Sequence, residues 1–382
     1  MPENLTPELR ALRERAEKFI EDDLRPLEEQ LGEDPEAAIP PEVRRRVTER
    51  SRELGIFGMT QPEAFGGSAA GPLALTIARE AFAASNLRTA RLAFGPGPGV
   101  LAAAEGELRE RYLEPVLRGE KVGAFAFTEP TDTPRPTWAR RDGRELVVTG
   151  RKAYVTGGAT ADFISALVNV EADGSAPRGT AMVVIDRDAE GLEIEREFRS
   201  LDGSGHVSLA FHDLRVPVSH VIGKIGEGMP RALGTIGNVR LAMAAQATGT
   251  SMWVVDYVTG HLRAPHRSGS PLGEREGVRL RYAEMRIDTY AARSMLYRTA
   301  RLAESGEDVR NEGMATKVFA TEVAGRTVDA AVQLVGGQAL VRGHPLERLY
   351  RQVRSLRLAE GANDLLRLNL ARGRLEFDGG RL

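Results

Sequence analysis

Apolar positions in the first 120 residues recur at three- and four-residue intervals, the spacing that lines one face of a helix. Leu9, Leu12, Ala16, Phe19 and Ile20 form such a stripe, with Thr6 placed to cap it and Pro7 at the first helical position. Further helices are predicted over 41–54, 72–84 and 106–118, separated by the turn-rich runs PEAFGGSAAGP and FGPGPGV. Near Gly123 the period changes. GAFAFTEP, RELVVTGRKAYVTGG, FISALVNV, GTAMVVID and HVSLAFHDLRVP are short and rich in β-branched and aromatic residues, punctuated by Gly, Pro and the pair Asp142-Gly143. Val207, Leu209 and Phe211 alternate as in a half-buried strand. No useful helix fits between these segments, so an antiparallel sheet is expected rather than a βαβ array. After Gly228, helical spacing returns over about 229–259, 274–304, 313–335 and 345–374, and four long helices with short connections predict a bundle.

This order divides the chain into a helical domain over 1–122, a β-domain over 123–226 and a four-helix bundle over 227–382, an α+β chain that is mostly α. A length of 382 residues suits two or three packed units with room for a cofactor cleft. The formal net charge of -2 gives no electrostatic basis for binding nucleic acid. The absence of cysteine excludes disulfides, thiolate zinc sites, Fe–S clusters and a Cys nucleophile. Carboxylate, imidazole, hydroxyl or an organic cofactor remain for difficult chemistry. No stretch reaches the roughly 18 apolar residues of a membrane span. The segment MPENLTPELRALRERAEKF lacks a signal-peptide core, so a cytoplasmic, membrane-free protein is expected. Lysine is scarce, confined to Lys18, Lys121, Lys152, Lys224 and Lys317.

Familiar site motifs fail. In GPGPG at 95–99, prolines stand where amide donors are needed for a dinucleotide turn, and Gly226-Glu227-Gly228 has Arg231 at the third glycine position. Gly223-Lys224 is followed by Ile225, which excludes a phosphate-binding P-loop, and no nucleophile elbow occurs. His261 and His266 are five apart and fall on different faces of a helix, so a zinc pair is not expected. Metal hydrolysis, nucleotide hydrolysis and serine hydrolysis lose their support.

The run VQLVGGQALVRGHPLERLYRQVRSLRLAEGANDLLRLNLAR resembles the acyl-CoA dehydrogenase family, and the order helices, strands, bundle is similar to that family's three-domain plan. ELGIFGMTQPEAFGG, LRERYLEPVLRGEKVGAFAFTEP, GRKAYVTGG, FHDLRVPVSHVIGKIGEGM and PLGEREGVRLRYAEM carry the same resemblance nearly end to end. LAEGANDLLRL is closest to the very-long-chain branch. The resemblance implies FAD as cofactor, an acyl-CoA or acyl-carrier thioester as substrate, an electron-transfer flavoprotein as partner, and a homo-oligomer, a tetramer. The family reaction removes an α-proton to a base and a β-hydride to the flavin, from opposite faces of the acyl chain.

By position Glu360 matches the base, in a small apolar context that would raise a carboxylate's pKa. Read without the resemblance, Glu360 is a solvated residue on an arginine-rich helix. Gly361 matches a place where backbone approaches the thioester, and Arg240 an arginine near the pantetheine. Phe125, Phe127 and Thr128 correspond to flavin-ring contacts, Tyr154 to the stacking position, and Thr156 to a threonine near the reactive nitrogen. Gln333, Gly336 and Gly337 match positions that reach a neighbouring subunit's flavin, although Gly336-Gly337 also reads as a helix C-cap. Four departures stand out. The loop after Pro130 is about four residues short, Pro265 replaces the family arginine with Arg263 or Arg267 as possible substitutes, Glu276 replaces a glutamine, and Ala362 replaces a threonine. Two rival readings keep the fold: a different flavin reaction (monooxygenase, oxidase or carrier-protein dehydrogenase), or a non-catalytic, flavin-free binding subunit.

Overall fold

The computed structural model describes residues 4–32, 39–172 and 178–378. Helices α1 (Pro7–Phe19), α2 (Arg25–Glu29), α3 (Pro41–Glu53), α4 (Pro72–Ser85), α5 (Gly106–Leu108) and α6 (Glu114–Arg118) come first. Strands β1 (Gly123–Ala126), β2 (Trp138–Asp142), β3 (Glu145–Thr156), β4 (Phe163–Val170), β5 (Gly179–Asp186), β6 (Leu192–Arg199) and β7 (Gly205–Pro217) follow. Helices α7 (Gly228–Arg263), α8 (Glu276–Glu304), α9 (Arg310–Val335), α10 (Pro345–Leu356) and α11 (Asn363–Leu375) complete the chain. Two compact units result. One comprises Met1–Thr60, Gly67–Phe94 and Gly237–Leu382, the other Gln61–Gly66 and Gly95–Ile236.

In the first unit the Thr6 hydroxyl accepts the Leu9 N–H at 3.4 Å, and Pro7 opens α1 without leaving an orphan donor. Leu12, Ala16 and Phe19 form its buried stripe, and Phe82 meets Phe19 and Phe94 edge-on at 6.1 and 5.4 Å. Helices α7 and α9 bury small side chains, among them Ala244, Ala247, Val323 and Ala331, so the long helices approach closely. The buried Glu80 of α4 accepts hydrogen bonds from Arg293 at 2.8 and 2.7 Å and from the Tyr297 hydroxyl at 2.8 Å. This fully partnered carboxylate ties α4 to α8. Trp253 stacks on Tyr257 with ring centroids 5.0 Å apart.

The fourth bundle element departs from the sequence expectation. The stretch 345–374 is not one helix: α10 stops at Leu356 and α11 starts at Asn363. Between them Glu360 has φ +54° and Gly361 φ +102°. Two successive left-handed residues cannot continue a right-handed helix, so the apolar spacing survives while the backbone breaks.

In the second unit the sheet is curled and mixed, which corrects the antiparallel expectation. One edge of β4 pairs antiparallel with β5 from Phe163↔Asp186 to Val170↔Gly179. Its other edge is shared by two parallel partners: β1 covers Phe163 to Ala166, and β2 covers Asn169 and Val170. The chain leaves β1, loops out and rejoins the same edge in the same direction, so parallel pairing needs no crossover helix. The remaining neighbours, β2 with β3, β3 with β7 and β7 with β6, are antiparallel. Val207, Leu209 and Phe211 lie in the core, where the alternation placed them.

The short loop after Pro130 is cross-braced. The Glu129 carboxylate accepts the Thr137 N–H at 3.3 Å and the Thr137 hydroxyl at 3.0 Å, and pairs with the ammonium of buried Lys152. Lys152 also donates to the Phe127 carbonyl at 3.2 Å. Burial lowers the Lys152 pKa, and Glu129 opposes that shift. Arg135 lies 4.2 Å over the Trp138 ring at the far end of this loop. Among the described residues no helix is long and apolar enough to cross a membrane.

Candidate functional site

The break between α10 and α11 carries the Glu360 carboxylate on its turn. Glu360 sits half-buried in a left-handed conformation that costs a non-glycine residue about 1–2 kcal/mol. Such strain persists only where the surroundings over-determine it. Here they do. Lys317, fully buried on α9, donates to the Gly361 carbonyl and to Asn363 Oδ1, both at 2.9 Å. Asn363 in turn donates to Thr321 Oγ1 and Glu322 Oε1, each at 3.0 Å, and its N–H reaches the Arg357 carbonyl at 2.8 Å. From α7, Arg240 Nε donates to the Glu360 carbonyl at 3.5 Å.

Burial raises the Glu360 pKa above the ordinary carboxylate value, while Arg240 and then Lys317 pull against it. The same burial brings the Lys317 ammonium down to about 8, helped by the nearby Arg240 charge and opposed by Glu360. The sequence reading missed Asn363, Thr321 and Glu322 in this cluster, and above all Lys317. Its only signal was a lysine in a chain whose bases are nearly all arginine. Among the described residues, the N–H groups of Glu360 and Gly361 form no hydrogen bond within the chain. They remain available to an external acceptor.

Gly361 is favoured by its φ, and the space around it is tight. A Cβ there would stand 3.1 Å from Leu366 Cδ2. Gly361→Ala is therefore expected to destabilise the chain by roughly 1–2 kcal/mol. The measurement is a urea midpoint, lowered at unchanged slope.

In the second unit, β3 carries a register shift between Lys152 and Val155. This bulge places Tyr154 at φ +54° and turns its ring outward, 63% exposed. The ring meets Phe198 edge-on at 5.4 Å and lies 6.2 Å from His206. The Thr156 hydroxyl pairs with His206 Nδ1 at 3.2 Å. Phe125 and Phe127 stack at 5.8 Å, and their rings pack into an interior cluster. Thr128 is exposed, its carbonyl accepts the Ala153 N–H at 2.9 Å, and among the described residues its hydroxyl has no partner. An outward aromatic ring beside an unengaged hydroxyl fits a planar, hydrogen-bonding cofactor ring.

The remaining positions stand apart from the Glu360 cluster. Gln333 and Gly337 are exposed at the end of α9, where Gly336 turns the chain at φ +85°. Arg263 and Arg267 are exposed at and after the end of α7.

The helical unit thus carries a recessed carboxylate, and the curled sheet presents an outward aromatic ring. Profiles of the acyl-CoA dehydrogenase N-terminal, middle and C-terminal domains match residues 6–120, 124–214 and 226–375. The chain belongs to the acyl-CoA dehydrogenase family, whose members are FAD-dependent oxidoreductases. It is 30% identical to cyclohexane-1-carbonyl-CoA dehydrogenase of Geobacter metallireducens, over 84% of this chain and 86% of that protein. It is 28% identical to 3-(aryl)acrylate reductase of Clostridium sporogenes, over 94% and 96% of the two chains. A crystal structure of a probable acyl-CoA dehydrogenase from Mycobacterium abscessus superposes with a TM-score of 0.82 at 29% identity, covering 96% of this chain and 98% of that one.

Proposed function

We propose that this protein is an FAD-dependent acyl-CoA dehydrogenase in which Glu360 is the base that takes the α-proton. The observation that carries the reading is the braced, left-handed Glu360 with its raised pKa. A carboxylate whose pKa burial has raised above the ordinary value is a stronger base and accepts a proton from a weak carbon acid more readily. The free N–H groups of Glu360 and Gly361 would hydrogen-bond the thioester carbonyl, stabilising the negative charge that develops as the proton leaves. Arg240 adds a fixed positive charge beside the same loop.

FAD, when bound, supplies the hydride acceptor. Tyr154 would stack on its ring, and Thr128, Thr156 and the backbone of Phe125 and Phe127 would offer donors to the ring edge. Gln333, Gly337 and Arg267 lie exposed and Gly336 is half-buried beside them, as residues serving a neighbouring subunit's cofactor would be. A homo-oligomer, a tetramer by family resemblance, is supported by the exposed apolar residues Leu280, Ile287 and Tyr290, spaced along one face of α8. An electron-transfer flavoprotein is the proposed electron acceptor. The likeness of LAEGANDLLRL to the very-long-chain branch sits at the reacting end, where chain length is not read. The reductase name of one relative favours a second direction for the same site, in which protonated Glu360 returns the proton to the α-carbon.

The test is the visible spectrum of the purified protein, titrated anaerobically with acyl-CoAs of several lengths. A yellow protein that bleaches is expected. A colourless protein that takes up no FAD would end the flavoenzyme reading, and rapid oxygen consumption would replace dehydrogenase by oxidase.

A further inference from the structure

A cavity of about 370 Å³ lies within the first unit. It starts at Val239, the neighbour of Arg240, and follows α7 through Met243 and Gln246 to Thr250, a run of about 16 Å. On α10 it is bordered by Gln352 and, one turn farther from Glu360, by Arg348. Phe82 and Phe94 contribute apolar wall. The cavity therefore shares two elements with the Glu360 loop and extends away from it.

The charge of its lining is one-sided. Arg79, Arg91 and Arg348 all border it, and among the described residues no carboxylate does. Arg348 donates to Asn86 Oδ1 at 2.8 Å and to the Asn86 carbonyl at 3.3 Å, both neutral acceptors. Arg79 lies 5.8 Å from the centre of the Phe94 ring. Burial lowers the pKa of both, that of Arg348 to about 10 with a further push from Arg91. Glu28 is the carboxylate that supports Arg348 electrostatically, but its oxygens are taken by Arg88 at 2.7 Å and by the Thr89 N–H and hydroxyl at 2.9 and 3.0 Å. The other polar side chains of the lining, Asn86, Gln246, Thr250 and Gln352, are neutral. Half-buried guanidiniums facing such a space are expensive unless an anion completes them.

We infer that this cavity receives the far end of an acyl thioester that terminates in a carboxylate, with Arg348 and Arg79 as its specificity-determining contacts. The inference rests on the acyl-CoA reading above and narrows it to ω-carboxyacyl substrates. The thioester end lies at Glu360, the methylene chain follows the apolar wall of α7, and the terminal carboxylate accepts charge-assisted hydrogen bonds from the guanidiniums. A methyl end would leave those cations desolvated and unpaired.

The experiment compares matched CoA thioesters of five to nine carbons, one series ending in carboxylate and one in methyl. Calorimetric binding to the Glu360→Gln holoprotein removes turnover from the readout. The carboxylate series is expected to bind roughly 10- to 100-fold tighter at the best length. Arg348→Gln and, independently, Arg79→Gln should reduce that ratio while leaving methyl-ended binding within about twofold. Equal affinity of the two series at every length, or a ratio unmoved by both variants, would overturn the inference while leaving the dehydrogenase reading intact. Binding of neither series would remove the acyl-CoA reading and the inference with it.

Discussion

Glu360→Gln is expected to lower turnover of an acyl-CoA by roughly 10²- to 10⁴-fold, the range over which positioned general bases contribute. Glutamine keeps the shape and the polar head but cannot take a proton. Because strain and bracing act on the backbone, the folded structure should persist, and thermal unfolding should be nearly unchanged. The pH dependence sharpens this expectation. The base works only when ionised, so activity is lost as pH falls through the Glu360 pKa. Burial has raised that value, so the acid limb of kcat/KM lies above the range of a solvated glutamate. The limb should vanish in Glu360→Gln. Full bleaching at an undiminished rate in this variant would refute the base assignment.

Lys317→Met is expected to cost turnover on the order of 10²-fold, although Lys317 is not proposed to touch substrate. Its ammonium holds the Gly361 carbonyl and Asn363, and so fixes the loop that carries Glu360. Two readouts separate positioning from mere stability. First, the Lys317 charge lowers the Glu360 pKa, so its removal should shift the acid limb to higher pH. Second, the folded Lys317 titrates near 8, below the usual lysine value. Below about 8 both folded and unfolded chains carry the proton, and the penalty of burying it is constant. Between that pH and the usual lysine pKa the unfolded chain binds more protons, so stability rises with pH. Chemical denaturation from pH 7 to 10 should show this rise in the wild type and lose it in Lys317→Met. An acid limb that stays in place would leave Lys317 a structural residue only.

Much of this was legible from periodicity. The Thr6–Pro7 start of α1, the alternation in β7 and the long helices α7 to α9 follow from local rules, and the structure keeps them. The break before α11 was not legible, because residues on both sides retain helical apolar spacing while two backbone dihedrals change sign. Periodicity reports faces, not φ. The parallel pairing of β1 and β2 with β4 escaped for a related reason, since strand direction depends on how a loop is routed and not on side-chain alternation. For the site, the resemblance marked the positions, but the bracing of Glu360 comes from Lys317, 43 residues upstream, which no local motif connects to it. Two of the five lysines, Lys152 and Lys317, are fully buried, and each holds a backbone carbonyl next to a candidate site residue or within one.

The chain has two tryptophans, and each compact unit holds one: Trp138 beneath Arg135 and Trp253 stacked on Tyr257. Intrinsic fluorescence is thus divided between the units by the sequence itself. Replacing either indole with phenylalanine leaves a single-tryptophan protein whose indole emission belongs to one unit alone. Whether the sheet and the helices melt together or in succession becomes a question that a fluorimeter can answer, without any added dye.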